Sequence, residues 1–570
     1  MEKDVYELTN PQKSIWYTEQ FYKGTAINSI CGTAIINESV DFNLLKSAIN
    51  HIIKSHKSFS LKFIIENNFP KQYLADVTSS IDLIDVDSIK ELEDFRKSVL
   101  KDPFDVEGNS LFKFYIFRFP NNHGAFMLNI HHLISDAWTL GFVSNEIIKN
   151  YSNLKNNLPL LNYESSYLDY ITSEQAYLHS DKFIKDKDYW NAVFSDIPEI
   201  ATLPGTSSNK ISLDSCIANR KMFQLDKSIV DSIHIFCKKH KISVFNFFMA
   251  IFGLYIGRVC NLDTFVIGTP ILNRCNYKDK NSTGMYISTM PFKIQISNDI
   301  TFNDFVNIIS RDSLNMLRHQ KYPYQNLLED LRKENNNIPN LYNILISYQI
   351  TNAKNNESNI DYTTEWTFNG NCADPINIHL YDLNDTGELN LCYDYQTAIY
   401  TMYDVDSIHN RILHIIHQIL HSDAILLKDV EIVTPEEQQQ LLSDFNKTEF
   451  TYDDALTVID LFEEQVKNTP EKTALVSNNM SFSYEQLNKK ANMLAHYLKD
   501  TCNIKPNDIV GIMLNRCPEM IIGLLAILKC GATYLPIDPE YPKERISYML
   551  ENSHTRNCFS KYYNRRIYSC

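Results

Sequence analysis

The chain has 570 residues (66.2 kDa), 44% hydrophobic and 22% charged, with a formal net charge of −15 and a sequence pI near 5.5. That mix excludes a disordered chain, and 15 Gly with 19 Pro, about half the usual combined share of roughly 12%, excludes collagen-like and low-complexity folds. The acidic balance argues against bulk binding to nucleic acid or anionic membrane, and 12 cysteines without a CxxC pair read as reduced thiols of a cytoplasmic protein.

The opening MEKDVYELTN has no apolar core and is no signal peptide. Cys31 to Ile36 reads as a short strand. Asp41 then caps a helix whose apolar face is Leu44, Leu45, Ala48, Ile49, Ile52 and Ile53. A β-rich run from Phe112 to Arg118, the turn signal Asn121-Asn122-His123-Gly124 and a returning strand from Ala125 to Ile130 form a hairpin. After the loop LISD comes a helix with Leu140, Val143 and Ile147 on one face. A second α/β stretch runs over 176–430. It holds an apolar helix from Val244 to Tyr255, with no apolar run long enough for a bilayer, and strands at Phe265 to Ile271 and Asn343 to Tyr348. Asn335 to Asn337 and Asn352 to Asn359 read as polar loops. A short amphipathic helix and linker follow, and a third unit opens near Thr457. Residues 552–570 carry Arg556, Lys561, Arg565 and Arg566 and no acidic residue, which makes that tail look foreign to its domain.

The constellation best suited to chemistry is His131-His132-Leu133-Ile134-Ser135-Asp136-Ala137-Trp138, where a strand ends and a helix begins. Neighbouring side chains on a strand point to opposite faces, so one histidine can serve a substrate while the other anchors the loop. Asp136 stands where a carboxylate caps the next helix. The competing reading is a pair of satisfied structural histidines beside an N-cap. Zinc is weaker still, because neither HExxH nor a Cys/His cluster at ligand spacing is present.

HHLISDAW resembles the HHxxxDG motif of nonribosomal peptide synthetase condensation domains, relatives of chloramphenicol acetyltransferase. The likeness continues in order. LTNPQKSIWYTEQF (Leu8 to Phe21) resembles the opening motif, SYLDY with DYW the fourth, and FVIGTPILNR with GMYISTMP the fifth. HQKYPYQ resembles the sixth and IPNLYNILISYQ the last. SFSYEQLN and LKCGATYLPIDPEYPKERI resemble the first two core motifs of an adenylation domain. The resemblance implies an α/β (α+β) fold of two chloramphenicol-acetyltransferase-like lobes in a V-shaped pseudo-dimer. The lobes are 1–175 and 176–432, followed by a linker over 433–456, an adenylation fragment over 457–551 and the basic tail 552–570.

It further implies amide-bond formation between an acyl or aminoacyl thioester donor and a carrier-bound aminoacyl acceptor. His132 would attend the acceptor amine as base or positioner, an imidazole near pKa 6.5 suiting that task. His131, Asp136, Ala137 and Trp138 would support the motif, with Asp136 turned away to pair with Arg274. No cofactor or metal is expected on the chain itself. Its partners would be carrier proteins bearing phosphopantetheine arms, acyl-CoA and other synthetase subunits, with no nucleic acid and no membrane. Ala137 stands where the family has Gly, Ser60 where it has Arg, Ser288 where it has Asn, and the heterocyclisation signature is absent. Nothing after Leu550 resembles a phosphate loop or catalytic lysine, so the expectation is a truncated adenylation fragment that activates no amino acid. With no adenylation or carrier unit ahead of it, the donor is expected in trans. The donor would be a starter-type acyl group or that of an ordinary elongation domain. A non-catalytic carrier-binding scaffold and a functionless synthetase fragment stand as rivals.

Overall fold

The structure, a computed structural model, describes residues 4–560 except 78–79, 208–214, 335–337, 352–359, 384–386, 423, 452, 478–479 and 556. The polar loops at 335–337 and 352–359, and Arg556, Lys561, Arg565 and Arg566 of the tail, lie outside the described residues. The chain divides into two units, Met1–Gln440 and Leu441–Cys570.

In the first lobe of the first unit, Asp41 accepts from the amides of Asn43 and Leu44 and so starts the helix Phe42–Ser55. Leu45, Ala48, Ile49, Ile52 and Ile53 of that helix are buried against a five-stranded sheet. The sheet order is Tyr362–Thr367, Ser29–Ser39, His123–His131, Phe112–Arg118, Asp82–Asp85, antiparallel except for the last pair. Asn122, at φ +61°, makes the tight turn of the expected hairpin. The strand His123–His131 is central and buried on both faces. Phe126, Leu128 and Ile130 join the cluster under the helices Phe42–Ser55 and Ala137–Lys155. Ala125 and Met127 join a smaller cluster with Leu92 and Val99 of the helix Ile89–Val99.

The second lobe is built on a six-stranded sheet, in the order Ser288–Gln295, Thr264–Ile271, Ile344–Thr351, Ile376–Leu383, Glu388–Gln396, Ala218–Gln224. The helix Val244–Cys260 runs through its core, buried over Asn246 to Gly257, which accounts for its unbroken apolarity. No single described helix is long and apolar enough to cross a membrane.

The strand Tyr362–Thr367 departs from the sequence-derived boundaries. It falls within 176–432, yet it pairs antiparallel with Ser29–Ser39 of the first lobe. The lobes are therefore not two contiguous pieces of chain; the second lends a strand to the first. The helix Pro435–Gln439, inside the expected linker, is tied to the helix Met402–His421 by Arg411 and Glu437 at 2.9 Å.

The second unit carries the hairpin Thr473–Ser477 with Met480–Ser483 and a parallel sheet in the order Thr533–Pro536, Ile509–Met513, Asn557–Ser560. Helices Tyr484–Asp500 and Pro518–Lys529 supply Ala495, Leu498, Ala526 and Ile527 to its core. Asn557–Ser560 lies in register with Val510–Met513, so a foreign tail does not begin at 552. Its basic charge masked a short strand that belongs to the sheet.

Candidate active site

The strand that carries His131 ends in a 3₁₀ turn, His132–Ile134, and this break sends the two histidines different ways. The buried His131 ring accepts the Leu133 amide at Nδ1 (3.1 Å). Its proton is therefore on Nε2, which lies 3.2 Å from Glu19 Oε2. Glu19 also accepts from Asn28 Nδ2 at 2.7 Å. The Asn28 carbonyl in turn accepts the backbone amide of His132 at 2.8 Å. His131 is thus an anchor for the loop.

His132 is half-buried, and its Nδ1 lies 3.1 Å from the Ser135 carbonyl. A carbonyl only accepts, so Nδ1 carries the hydrogen. Burial, with His131 adding to it, pushes the imidazole down to about 4, against smaller opposing pulls from Asp136 and the Ser135 carbonyl. The ring is neutral at pH 7, and its Nε2 is an unprotonated lone pair. The value near 6.5 expected from the sequence is thus corrected, because the ring is not solvated as a free imidazole is.

Asp136 is fully buried and caps the helix Ala137–Lys155, accepting from Thr139 N at 2.8 Å. Its other contacts come from the second lobe. Arg274 Nη2 reaches both carboxylate oxygens (3.0 and 3.1 Å), and the Tyr286 amide donates at 3.1 Å. Arg274 is itself enclosed. It donates to the carbonyls of Asp279 and Ser282, to Thr139 Oγ1 and to the Gly284 carbonyl, with its guanidinium 3.9 Å from the Tyr286 ring centroid. Thr139 Oγ1 donates to the Gly284 carbonyl (2.9 Å) and accepts from the Gly284 amide (3.1 Å). Gly284 sits at φ +145°, and a Cβ there would lie 2.1 Å from Tyr167, so only glycine fits. The structure brings Asp136 and Arg274 together in a buried junction of the lobes, with every oxygen of Asp136 already engaged.

Ala137 begins the helix and is not among the described positive-φ residues, so the backbone does not demand glycine there. Trp138 is 40% exposed and donates from Nε1 to the Lys280 carbonyl at 3.0 Å, a further contact between lobes. Ser288 accepts from Asn273 Nδ2 at 3.2 Å. Sequence reasoning missed Glu19, Thr139 and Tyr286. For Glu19 a signal exists, since it shares the buried helical face of Gln12 and Trp16, where an unpaired carboxylate would be costly.

Two lobes with the HHxxxD turn at one edge and an Asp–Arg tie across their junction define a condensation-type acyltransferase fold. The chain belongs to the Condensation domain family, which matches residues 2–442; residues 462–567 match the AMP-binding enzyme family. It is 32% identical to a plipastatin synthase subunit of Bacillus subtilis (strain 168), over 97% of this chain and 22% of that protein. It is 30% identical to surfactin synthase subunit 1 of the same strain, over 97% and 16% respectively. The chain therefore spans about a fifth of these relatives' length. In fold it is similar to a four-domain nonribosomal peptide synthetase bound to AMP and glycine (TM-score 0.81, 17% identity, 98% of this chain and 44% of that one). It is also similar to the starter condensation domain of rhizomide synthetase (TM-score 0.66, 17% identity, 75% and 97%).

Proposed function

We propose that the first unit joins an acyl or aminoacyl thioester donor to a carrier-bound aminoacyl acceptor as an amide. The acceptor nitrogen attacks the thioester carbonyl, a C–N bond forms, the C–S bond breaks, and the amine proton ends on the departing thiol. The observation that carries this reading is the His132 tautomer. With Nδ1–H committed to Ser135 and the ring neutral, Nε2 is an acceptor for an amine N–H. Orienting that amine along its line of attack lowers the barrier without a full proton transfer. Both substrates would arrive on phosphopantetheine arms of partner carriers, or the donor as acyl-CoA, and other synthetase subunits would supply them. The chain needs no cofactor of its own for this step.

The finer reading is a starter-type donor, an acyl chain without an α-amine, as the opening motif Leu8 to Phe21 suggests. The rhizomide synthetase starter domain, solved with C8-CoA and Leu-SNAC, gives that reading a structural counterpart. Purified protein would be offered acyl-CoA, acyl-carrier and aminoacyl-carrier donors together with one aminoacyl-carrier acceptor, and products resolved by intact-protein mass spectrometry. Amide product from the acyl donors is expected. Exclusive use of the aminoacyl donor would remove the starter reading, and carrier binding without any amide would favour the scaffold.

A further inference from the structure

The six-stranded sheet of the second lobe holds a polar row whose described hydrogen bonds involve none of His132, Asp136 and Arg274. Pairing register puts Ser347 opposite His379 and Asp394 opposite Arg220, with Asp394 diagonal to His379. These residues alternate with Ile346, Ile378, Leu380 and Tyr393, which face the apolar core, so the row occupies the other face. Arg220 grips Asp394 with two bonds of 2.7 Å, Nε to Oδ1 and Nη2 to Oδ2, and its guanidinium lies 4.6 Å from the Phe368 ring centroid. Asp394 Oδ2 lies 3.1 Å from His379 Nε2, and His379 Nδ1 lies 2.6 Å from Ser347 Oγ.

The polarity of the row follows from its ends. Hydrogen bonds from Arg220 and His379 hold the Asp394 carboxyl down to about 2 despite its burial, so it is an ionised acceptor. His379 must then carry its hydrogen on Nε2, and a singly protonated ring turns the Nδ1 lone pair to Ser347, whose hydroxyl donates. This is a serine–base–carboxylate relay with the ring nitrogens exchanged relative to the usual protease order. Access runs through His379, which keeps 14% of its side-chain surface exposed, while Ser347 itself is buried. The strands Thr264–Ile271 and Ile344–Thr351 share the register position Gly268 with Leu345, just before Ser347.

We propose that Ser347 is an activated nucleophile that accepts acyl groups from thioesters at a second site, separate from His132 and independent of the condensation reading. Ser347 Oγ would attack the thioester carbonyl, forming an O–C bond as the C–S bond breaks. Its proton would pass to His379 Nδ1 and then to the departing thiolate, leaving an acyl-serine ester and a free thiol. Water, deprotonated by His379, would cleave the ester to a carboxylic acid and restore the Ser347 hydroxyl.

The test is covalent labelling of the whole 570-residue protein with an alkyl fluorophosphonate, followed by peptide mapping. A stoichiometric adduct on Ser347 is expected in the unmodified protein and in His132→Ala. It should form at least tenfold more slowly in His379→Gln, and be lost in Ser347→Ala. Hydrolysis of a short acyl N-acetylcysteamine thioester, measured in the His132→Ala background, should fall at least tenfold on adding Ser347→Ala. An unmodified Ser347 in the labelled wild-type protein overturns the proposal whether or not the variants fold. Equal labelling rates with and without His379 also overturn it, and so does thioester hydrolysis indifferent to Ser347.

Discussion

A neutral His132 constrains what that residue contributes. An imidazole near pKa 4 is a poor proton sink at pH 7, so the role proposed for it is accepting a hydrogen bond at Nε2 and fixing the amine. His132→Ala should slow single-turnover amide formation by about 10²-fold, the scale of a small misplacement. His132→Gln, which keeps an acceptor oxygen, should recover part of that loss. Between pH 5.5 and 8 the rate should follow the acceptor amine alone; an inflection near 6.5 that vanishes in His132→Ala would show a titrating base instead. Stability should separate the motif residues. Among the described residues His132 makes one side-chain hydrogen bond, to Ser135, and its truncation should cost about 1 kcal/mol. Removing either Asp136 or Arg274 strands a buried charge and should cost roughly 3–5 kcal/mol, with Asp136→Ala and Arg274→Ala far from additive when combined. Coincident melts for all three single variants would contradict this division. The His pair and the Asp were legible in sequence because strand alternation and helix capping are local rules. The pKa of His132 was not, since desolvation depends on what the rest of the chain packs around the ring.

Among the elements, several follow their local signals. Asp41 and Ser243 start helices as caps, and the 112–131 hairpin turns at Asn122. The crossover strand Tyr362–Thr367 had no such signal. It is short and mostly polar, and its partner strand lies more than 300 residues away, so the pairing is decided by tertiary contacts. Those contacts are explicit: Arg96 with Glu365 at 2.7 Å, and Tyr362 Oη to Asn145 Oδ1 at 2.7 Å. Just past the strand, Asn369 Nδ2 donates to the carbonyls of Ala26, Ile27 and Ser29 at 2.9–3.0 Å. The same turn presents the Asn28 carbonyl to the His132 amide. These bonds link Asn369 to the His132 backbone through the 26–29 turn, and the proposed role of His132 makes Asn369 a candidate positioning residue. Asn369→Ala leaves three carbonyls short of a donor and should cost about 1–3 kcal/mol. It should also lower the amide-forming rate while carrier affinity stays near wild type, and Asn369→Asp, which keeps the shape but not the donor, should not rescue it. Unchanged turnover in a destabilised Asn369→Ala would leave it a purely structural tie.

For the whole molecule, the order of motifs exposed the two-lobe plan and the change of texture after residue 433, because those are properties of sequence segments. The exchanged strand and the Ser347–His379–Asp394 row were hidden, because they depend on which strands become neighbours. Burial on this scale also sets how the first unit responds to acid. His56, His132 and His409 are each lowered from 6.5 to about 4, chiefly by burial. Below pH 6.5 the unfolded chain takes up a proton at each while the folded protein does not. Their stabilisation is therefore complete above 6.5 and lost as pH falls through 4, on the order of 3 kcal/mol apiece. Glu174 works the other way. Burial raises it from 4.5 to about 7 despite its bonds to the Asn10 amide, so between those values the folded state holds the extra proton and stability declines as pH rises. Asp374, raised by burial from 3.8 to about 6, acts in the same sense as Glu174, so three protons against two still leave net acid destabilisation between pH 6.5 and 4.5. His409 isolates the effect: its ring stacks on Phe223 at 3.8 Å and lies 3.3 Å from the Tyr393 hydroxyl, with Asp406 and Lys221 as the charges acting on it. His409→Phe keeps the stacking partner and removes the titration. Urea midpoints of the first unit at pH 7, 6 and 5 should fall steadily in the wild type. In His409→Phe they should fall about one-proton less steeply, whatever the variant's absolute stability at pH 7. Parallel pH slopes in the two proteins would mean that the His409 ring is protonated within the fold.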